Sequence, residues 1–386
     1  MKFWGYERRD RQIGIRNHLL IMPLVQCVNF IAEAIANEIK DAATFYTGYG
    51  CCQVGNDAKQ TRKTMLGFAN NPNVGACIIV GMACSDINGD NFVNMLSQHK
   101  PVSYIELHDG DDPEELIALG CNKALEMQQC LNKMQRKECD LSSLIIGLEC
   151  GGSDTWSGFS ANPATGICSD LLIAEGGSAI LSESQEMIGA EHLFAAKATD
   201  KYVRQRFIDI IKLREQESID GGVDIASVNP SPGNKAGGLT TLEEKSLGCM
   251  QKGGENSPLV EVVDYAVKPL KSGLIFMDTP GDDVESITGL IAGGCQAIIF
   301  TTGRGTAVGC PIAPVIKVSS NTRLYKKMEN NIDFDAGTIV DGKSSIKNCG
   351  QNLFNKLICV CNGELTKSEI LHCDSTFSIT RTGITL

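Results

Sequence analysis

Apolar runs that end in glycine-rich polar loops recur along this chain and constrain its fold more than any other feature. Such loops begin near residues 50, 81, 147, 278 and 302, and each follows a run with the length and composition of a buried strand. Segments with helical spacing of apolar residues lie between them. Strands that alternate with helices build a parallel sheet covered on both faces. In such sheets the loops that follow the strands gather at one edge, where ligands bind.

This pattern predicts an α/β fold of two Rossmann-like units, with mostly parallel sheets and glycine-rich loops at the carboxyl ends of the strands. Residues 1–140 are expected to form an N-terminal α/β domain, and the charged stretch 133–140 marks its boundary. Residues 141–386 are expected to form a C-terminal α/β catalytic domain. A long segment that we interpret as irregular, VNPSPGNKAGGLTTLEEKSLGCMQKGG, interrupts this second domain.

The densest glycine-rich loop, GLECGGSDTWSGFSANPATG from Gly147 to Gly166, is the strongest candidate for a ligand site. Its glycines allow sharp turns and a close approach of the backbone to a ligand. A helix is expected after Asn162, with Pro163 at its first position, and a helix N-terminus favours anions. A long surface turn would use the same residue types. The expected substrate contacts are Ser153, Asp154, Ser157 and Asn162.

Three cysteines differ from the others because each stands in a glycine-rich loop after a predicted strand. Cys51, Cys84 and Cys150 could meet at one edge of a sheet. Three thiolates could hold an iron–sulfur cluster with one open iron, or contribute to a mononuclear site. The sequence has no CxxC pair to support such a site, and structural thiols are an equal alternative. Most other cysteines are expected to be small core residues in a reducing, cytoplasmic compartment.

The segment SESQEMIGAEH follows another predicted strand and offers carboxylates and an imidazole. These groups suit Fe²⁺ or Mn²⁺, or general acid–base catalysis. Glu183 and His192 are candidates for catalysis, and Glu186 is a candidate metal ligand. A solvated helix start with acidic residues near the positive end of the helix dipole would have the same composition, so both interpretations stay open.

Two further loops carry cationic candidates. NPSPGNKAGGLTTLEEKSLG contains Asn234, a candidate substrate contact, and Lys235, which could act as a base if its pKa is depressed or bind a carboxylate if it is not. Arg304 in TTGRGTAVG suits bidentate recognition of a carboxylate, although an exposed loop arginine is the alternative. Arg16, near the N-terminus, could share that task.

Composition and charge exclude several classes of partner. The net charge is −11 and no Lys/Arg tract opposes it, so nucleic acid and anionic membranes are poor candidates. No uninterrupted run of about 18 apolar residues occurs, so no membrane span is expected. The first residues also lack the apolar core of a signal peptide.

Four long motifs together resemble the altronate/galactarate dehydratase family, which also includes the large subunit of sulfolactate sulfo-lyase. They are GYERRDRQIGIRN, GLECGGSDTWSGFSANPATG, NPSPGNKAGGLTTLEEKSLG and FTTGRGTAVGCPIAPVIKV. The resemblance runs over nearly the whole chain and implies iron-dependent elimination of water, or of sulfite, from a 2-hydroxy acid. Sugar-acid members usually carry an additional small β-rich domain at the N-terminus. We therefore expect a separate small β-rich subunit, and we also expect a homo-oligomer.

The resulting prediction is a metal-dependent hydro-lyase that dehydrates an altronate-type aldonate to a 2-keto-3-deoxy acid. Iron, as Fe²⁺ or an iron–sulfur cluster, is the expected cofactor, with Mn²⁺ as an alternative. Lys235 or His192 would remove the C2 proton, and Arg304, with Arg16, would hold the substrate carboxylate. Galactarate dehydratase and the large subunit of (2R)-sulfolactate sulfo-lyase are alternatives. A non-catalytic subunit that binds sugar acids is a hypothesis from a different class.

Overall fold

The computed structural model describes residues 1–373 and 376–386, which form three sheets covered by helices. None of the helices in these two stretches combines the length and the apolar character that crossing a bilayer requires. The strands are β1 (Lys2–Glu7), β2 (Ile13–Gly14), β3 (His18–Pro23), β4 (Ala42–Thr44), β5 (Val74–Met82), β6 (Val102–Leu107), β7 (Lys137–Asp140), β8 (Ile145–Cys150), β9 (Ser178–Leu181), β10 (Leu259–Val263), β11 (Leu274–Met277), β12 (Ala297–Thr302), β13 (Val315–Ser319) and β14 (Phe334–Asp335). The helices are α1 (Asn29–Glu38), α2 (Gly55–Asn70), α3 (Gly89–Leu96), α4 (Pro113–Leu131), α5 (Ala161–Ala174), α6 (Glu191–Ala195), α7 (Lys201–Asp220), α8 (Ile225–Val228), α9 (Pro232–Ala236), α10 (Leu242–Cys249), α11 (Asp283–Ala292), α12 (Thr322–Lys327), α13 (Ile346–Cys361) and α14 (Lys367–Ile370).

The largest sheet has seven parallel strands in the order β10-β11-β9-β8-β12-β13-β14. Its central strands are buried on both faces, as the continuous apolar runs LIFM and AIIF predict for a covered parallel sheet. The chain leaves β8 toward β9 on one side and later returns to β12 on the other. Such a reversal of strand order opens a crevice at the carboxyl ends of the strands, and the candidate site lies there.

The second sheet has four parallel strands in the order β4-β3-β5-β6. Its inner strands β3 and β5 are almost completely buried. Helices α1 and α4 pack together against it, and α2 joins it to α11 of the larger sheet's layer. Two parallel sheets flanked by helices confirm the predicted α/β class with Rossmann-like units.

The strands and helices differ from the sequence-based expectation in a few places. The charged stretch taken as a boundary contains β7. This strand pairs antiparallel with β1, which also pairs with β2, and the three strands form a third sheet in the order β2-β1-β7. The segment interpreted as irregular, residues 228–254, begins where α8 ends, contains the short helices α9 and α10, and precedes the edge strand β10. Helix α5 begins at Ala161, so Pro163 occupies its third position instead of its first. Short charged strands and one-turn helices have too little periodicity to be recognised.

Residues 377–386 run back across the loops of the four-stranded sheet. The ring of Phe377 stacks on that of Phe45 with centroids 4.0 Å apart. The backbone N–H groups of Thr382 and Gly383 donate to the carboxylate of Asp57 over 3.1 and 2.7 Å. Residues 377–386 are therefore part of the packing around the four-stranded sheet.

Candidate active site

The glycine-rich loop that follows β8 is shaped by direct contacts with its neighbours. A Cβ atom on Gly151 would overlap the carboxylate of Asp283 and lie 2.6 Å from the ring of Phe300. Gly152 has a φ of +61°, in the left-handed region that favours glycine. The two glycines let the chain turn immediately after Cys150 and bring the Asp283 carboxylate against the backbone.

The short polar side chains of this loop are buried and hydrogen-bonded to the protein. Asp154 Oδ1 accepts from the backbone N–H and the hydroxyl of Ser157, over 2.9 and 2.8 Å, and from the hydroxyl of Ser320 over 2.7 Å. Asn162 Nδ2 donates to the carbonyl of Gly248 over 3.0 Å. These bonds hold the loop in shape. The expected contacts of Ser153, Asp154, Ser157 and Asn162 with a substrate stay predictions.

A cavity of about 420 Å³ lies between this loop and helix α10. The loop contributes one wall, and residues 239–251 contribute the other. This volume accommodates a small polar ligand. The side chains that line it and bear directly on chemistry are Cys150, Asp154, Glu243, Lys245 and Cys249.

Two thiols and a carboxylate meet at this cavity. The Sγ atoms of Cys150 and Cys249 are 3.6 Å apart, and Cys150 Sγ lies 3.7 Å from Glu183 Oε1. All three residues are buried, and one ligand atom from each lies within 4.8 Å of the other two. In the part of the chain that the structure describes, this is the one group of three His, Cys, Asp or Glu side chains with such spacing. The group could hold a metal ion.

A buried lysine balances the charge of this group. Lys252 Nζ lies 2.7 Å from Glu183 Oε2, and the two side chains are 0% and 1% exposed. Burial alone would lower the pKa of Lys252, but the negative charge of Cys150, Cys249 and Glu183 outweighs burial, so its pKa lies well above the usual value. Two thiolates and a carboxylate carry three negative charges, and Lys252 with a divalent cation carries three positive ones. The donor set therefore fits a divalent metal.

Without a cation, the same surroundings keep protons on the acidic groups. The hydrogen bond to Cys249, followed by burial, raises the pKa of Cys150 well above its usual range. Burial, followed by the charge of Glu183, raises the pKa of Glu149 well above its usual range and that of Asp283 to about 7. Glu149 Oε2 accepts from two hydroxyls, while its buried Oε1 has no hydrogen-bond partner among the described residues.

A second ion pair borders the cavity. Lys245 Nζ donates to Glu186 Oε1 over 2.8 Å and to Asn229 Oδ1 over 3.0 Å. Burial would lower the pKa of Lys245, but the charge of Glu186 outweighs it and the pKa is raised. Glu186, expected as a metal ligand, therefore serves here as the partner of a lysine that faces the cavity.

The two bases expected from the sequence are exposed. Lys235 lies on α9, which is docked on the glycine-rich loop by a 3.0 Å hydrogen bond from Asn234 Nδ2 to the carbonyl of Ser153. His192 lies on α6 and is also exposed. Neither lines the 420 Å³ cavity, and their catalytic roles stay predictions.

The two arginines expected to hold a carboxylate lie in different settings. Arg304 is exposed and lines a separate cavity of about 370 Å³, which shares Asp154 with the first cavity and also contains Arg323. Arg16 is buried and forms an ion pair with Glu369, with an Nε–Oε1 distance of 2.6 Å. Its Nη1 and Nη2 groups donate to three backbone carbonyls, and Nη2 also donates to Glu369 Oε2 over 2.9 Å. The contacts of Arg16 are therefore structural, and its expected contact with substrate stays untested.

The structure does not bring the three predicted metal ligands together. Cys51 and Cys84 are exposed in loops after strands of the four-stranded sheet, and neither belongs to the group around Cys150. The neighbour of Cys51 is Cys52, with the Sγ atoms 3.6 Å apart. The possible ligands that the structure does bring together are Cys150, Glu183 and Cys249. Metal binding by Cys51 and Cys84 stays a prediction.

Several residues of the site were missed by reasoning from the sequence. They are Glu149, Cys249, Lys252, Lys245 and Asp283. The apolar run before Cys150 could have indicated that Glu149 is a charged residue inside a strand. The other residues had only weak signals: an acidic pair after DTPG, the lysine that ends TTLEEK, and a cysteine and a lysine beyond it.

Comparisons with known proteins cover almost all of the chain. The model of the D-galactarate/altronate dehydratase C-terminal region matches residues 141–385, and that of the D-galactarate dehydratase/altronate hydrolase second domain matches residues 5–132. Altronate dehydratase of Bacillus subtilis is 37% identical over 95% of this chain and 75% of its own length. The (2R)-sulfolactate sulfo-lyase subunit beta of Chromohalobacter salexigens is 36% identical over 96% of this chain and 95% of its own length. Galactarate dehydratase (L-threo-forming) of Escherichia coli is 33% identical over 94% of this chain and 73% of its own length.

Proposed function

Because this chain belongs to the D-galactarate/altronate dehydratase family, we propose that it is a metal-dependent hydro-lyase that converts an altronate-type aldonate to a 2-keto-3-deoxy acid. Its similarity to altronate and galactarate dehydratases supports a carbon–oxygen lyase. The observation that carries the proposal is the group of Cys150, Glu183 and Cys249 beside a cavity of about 420 Å³. We also propose a division at residue 140, a homo-oligomer and a cytoplasmic location.

The proposed metal is iron as Fe²⁺, with Mn²⁺ or an iron–sulfur cluster as alternatives. Thiolates favour softer metals, and a carboxylate is compatible with Fe²⁺. Cys150, Cys249 and Glu183 would hold the ion, and Lys252 would hold Glu183 in place. When bound, the metal would act as a Lewis acid toward the carboxylate and 2-hydroxyl oxygens of the substrate.

Side chains of the protein would remove the C2 proton of the substrate and protonate its leaving hydroxyl group. A base removes the C2 proton, and Lys235 or His192 is proposed for this step. The C3 hydroxyl leaves as water after it receives a proton, and the resulting enol becomes the 2-keto acid. Lys245 is a further candidate for a role in proton transfer or binding. It faces the cavity, and its raised pKa keeps it protonated. It suits a proton donor or a carboxylate contact better than a base.

Contact with the substrate is proposed for residues of the two cavities. Ser153, Asp154, Ser157, Asn162 and Asn234 would contact hydroxyl groups or hold the loop that does so. Arg304 would bind a carboxylate from the adjoining cavity, where a guanidinium can form two parallel hydrogen bonds. Arg16 forms an ion pair with Glu369, so its contribution would be to stabilise the fold around the site and not to contact the substrate.

A (2R)-sulfolactate sulfo-lyase is the second candidate function, because the chain matches 95% of the length of a subunit beta with that activity. The same loss of the C2 proton would then expel sulfite from C3. A separate small β-rich subunit is proposed for either function. This part of the proposal is supported by the name of that relative, which describes one subunit of its enzyme.

The test is an anaerobic assay of the chain, with and without added Fe²⁺, on altronate, galactarate and sulfolactate. Product 2-keto acid and sulfite are measured together, and the assay is repeated after co-expression with a candidate small subunit. Iron-dependent release of 2-keto acid from altronate without sulfite is expected. Sulfite release would favour the second candidate. Binding of sugar acids with no turnover and no metal under any condition would instead support a non-catalytic subunit.

The choice of base is tested by single variants. Lys235→Ala or His192→Ala should lower kcat by about 10²-fold or more for the residue that removes the proton. A change confined to KM would assign the residue to binding. Lys245→Ala is the comparison variant, because Lys245 lines the cavity and the other two do not.

A further inference from the structure

A third cavity, of about 250 Å³, lies at the edge of the seven-stranded sheet opposite to the candidate active site. Ile145 and Ser178, which line it, are the first residues of β8 and β9. The carboxyl ends of these two strands lead to Cys150 and Glu183. A strand of six residues spans roughly 17 Å, so a ligand in this cavity would not touch the active site.

The cavity is lined by cations and hydroxyl groups. Its charged lining residues are Arg11, Lys268 and Lys271, and its hydroxyls belong to Ser142, Ser143, Ser178 and Ser272. Among the described residues that line it, none is an aspartate or a glutamate. The lining of this cavity is therefore positively charged, whereas the chain as a whole has a net charge of −11.

The two lysines are held at the cavity by the protein. Lys268 Nζ donates to Gln12 Oε1, and its stem would lie 3.7 Å from a Cβ placed on Gly294. Lys271 Nζ donates to the carbonyl of Val260 over 3.0 Å. Both bonds are to neutral acceptors. Burial lowers the pKa of Lys268, and the nearby charge of Asp10 offsets part of that effect.

The carboxylates of this region are engaged in the turns that carry the cations. Asp10 accepts from the side-chain amide and the backbone N–H of Gln12 and lies 3.0 Å from His99. Glu261 Oε2 accepts from the backbone N–H groups of Leu270 and Lys271 over 2.9 and 2.8 Å. These acids fix the backbone of both turns and leave the cavity lining cationic.

Arg11 reaches the cavity from a strained backbone. Its φ is +66°, in the left-handed region, which disfavours residues other than glycine. Its backbone N–H closes the turn to the carbonyl of Arg8 over 2.9 Å. A guanidinium kept at a position where glycine would be relaxed is a further reason to look for an anionic ligand.

We propose that this cavity binds a phosphate group, free or as the phosphomonoester of a small metabolite. A dianion matches three cations and several hydroxyl donors, and charge-assisted hydrogen bonds from guanidinium and ammonium groups are strong. The volume is about eight times that of a water molecule in the liquid, which leaves room for a phosphate and a few carbon atoms. The ligand would tie the turn at Arg11 to the turn at Lys268, which belong to sequence segments more than 250 residues apart.

The test is calorimetric titration of the complete chain with inorganic phosphate and, separately, glycerol 3-phosphate at constant ionic strength. Saturable binding of at least one of them is expected. A double variant, Lys268→Gln/Lys271→Gln, should weaken it at least 10-fold. Lys212→Gln is the matched control, since Lys212 is an exposed lysine on α7, and it should bind as the unaltered chain does. Tighter binding of the ester assigns the site to a metabolite, and tighter or equal binding of phosphate assigns it to the free ion.

A second variant keeps the test decisive if the double variant does not fold. Arg11→Gly removes one cation and relaxes the backbone, so it should bind phosphate more weakly and unfold at a higher temperature without ligand. The proposal is overturned if neither anion binds saturably, if all lysine variants bind equally, or if Lys212→Gln loses as much affinity as the double variant. Binding is read without turnover, so the result is independent of the proposed lyase activity.

Discussion

Cys150 with Cys249 and Cys51 with Cys52 form two pairs whose sulfur atoms are both 3.6 Å apart. Cys150 and Cys51 each stand where a parallel strand leads into a glycine-rich loop. The first pair is buried beside Glu183 and Lys252, whereas the second is exposed. Thiol spacing alone therefore does not define a metal site. A buried carboxylate and a balancing cation distinguish the first pair, and the following variants test that distinction.

The largest effect is expected from Lys252→Met. It would leave the carboxylate of Glu183 buried without its partner, which should lower the free energy of unfolding by about 3–5 kcal/mol. Urea unfolding in the presence of a chelator measures this. The exposed pair Lys343–Asp341, 2.9 Å apart, supplies the control, and Lys343→Met should leave the urea midpoint unchanged. The double variant Lys252→Met/Glu183→Gln should recover part of the loss. An unaltered midpoint for Lys252→Met would contradict the charge balance proposed here.

The next effect concerns the thiols themselves. Cys150→Ser should remove the bound metal and lower turnover by about 10²-fold or more, because a neutral hydroxyl is a much poorer ligand than a thiolate for the proposed metals. Cys51→Ser should retain both metal and turnover. Metal analysis of anaerobically purified protein and the lyase assay provide the two readouts. Equal metal content in the two variants would place the metal elsewhere.

A smaller effect is expected from the pH dependence of stability. The folded pKa of Asp283 is raised to about 7 by burial, whereas an unfolded aspartate has a pKa of about 3.9. Between these values the folded state binds more protons, so the stability that the protonated group contributes is present below pH 4 and lost as the pH rises through 7. Asp283→Asn should reduce the fall in unfolding free energy between pH 5 and pH 8 by about 2 kcal/mol.

Metal-free protein in chelator is required for that comparison, because a bound cation would change the charge near Asp283. Urea midpoints at both pH values, for the unaltered chain and for Asp283→Asn, give the result. Identical pH dependence in the two proteins would mean that Asp283 ionises normally in the folded state.

The smallest effect is expected at the exposed pair. Cys52 has a φ of +58°, a conformation that glycine adopts without strain. Cys52→Gly should therefore stabilise the protein by about 0.5 kcal/mol, since the relief of strain exceeds the extra entropy of the unfolded glycine. Thermal unfolding measures this, with Cys51→Gly as the control at a neighbouring position that lacks the positive φ. A lower melting temperature for Cys52→Gly would show that the thiol is needed there.

The strands and loops of the fold were predictable because long apolar runs report burial directly. Cys150 and Glu183 were recognised as candidates because each follows such a run. Cys249 and Lys252 were not recognised as candidates. Cys249 is 99 positions from Cys150, and no local sequence pattern indicates that the two are in contact. The edge strand β10 was missed for a related reason. It is short and partly exposed, so its sequence lacks the continuous apolar character of the central strands.

The packing of residues 377–386 against the four-stranded sheet has a consequence for the synthesis of the protein. The N–H group of Thr382 bonds to Asp57 across 325 positions of sequence. At translation rates of about 5–20 residues per second, the four-stranded sheet would wait for tens of seconds before these partners are synthesised. During that interval the aromatic ring of Phe45 lacks its stacking partner. The packing around Phe45 and Asp57 is therefore completed only after residues 377–386 have been synthesised, long after the strands of the four-stranded sheet themselves.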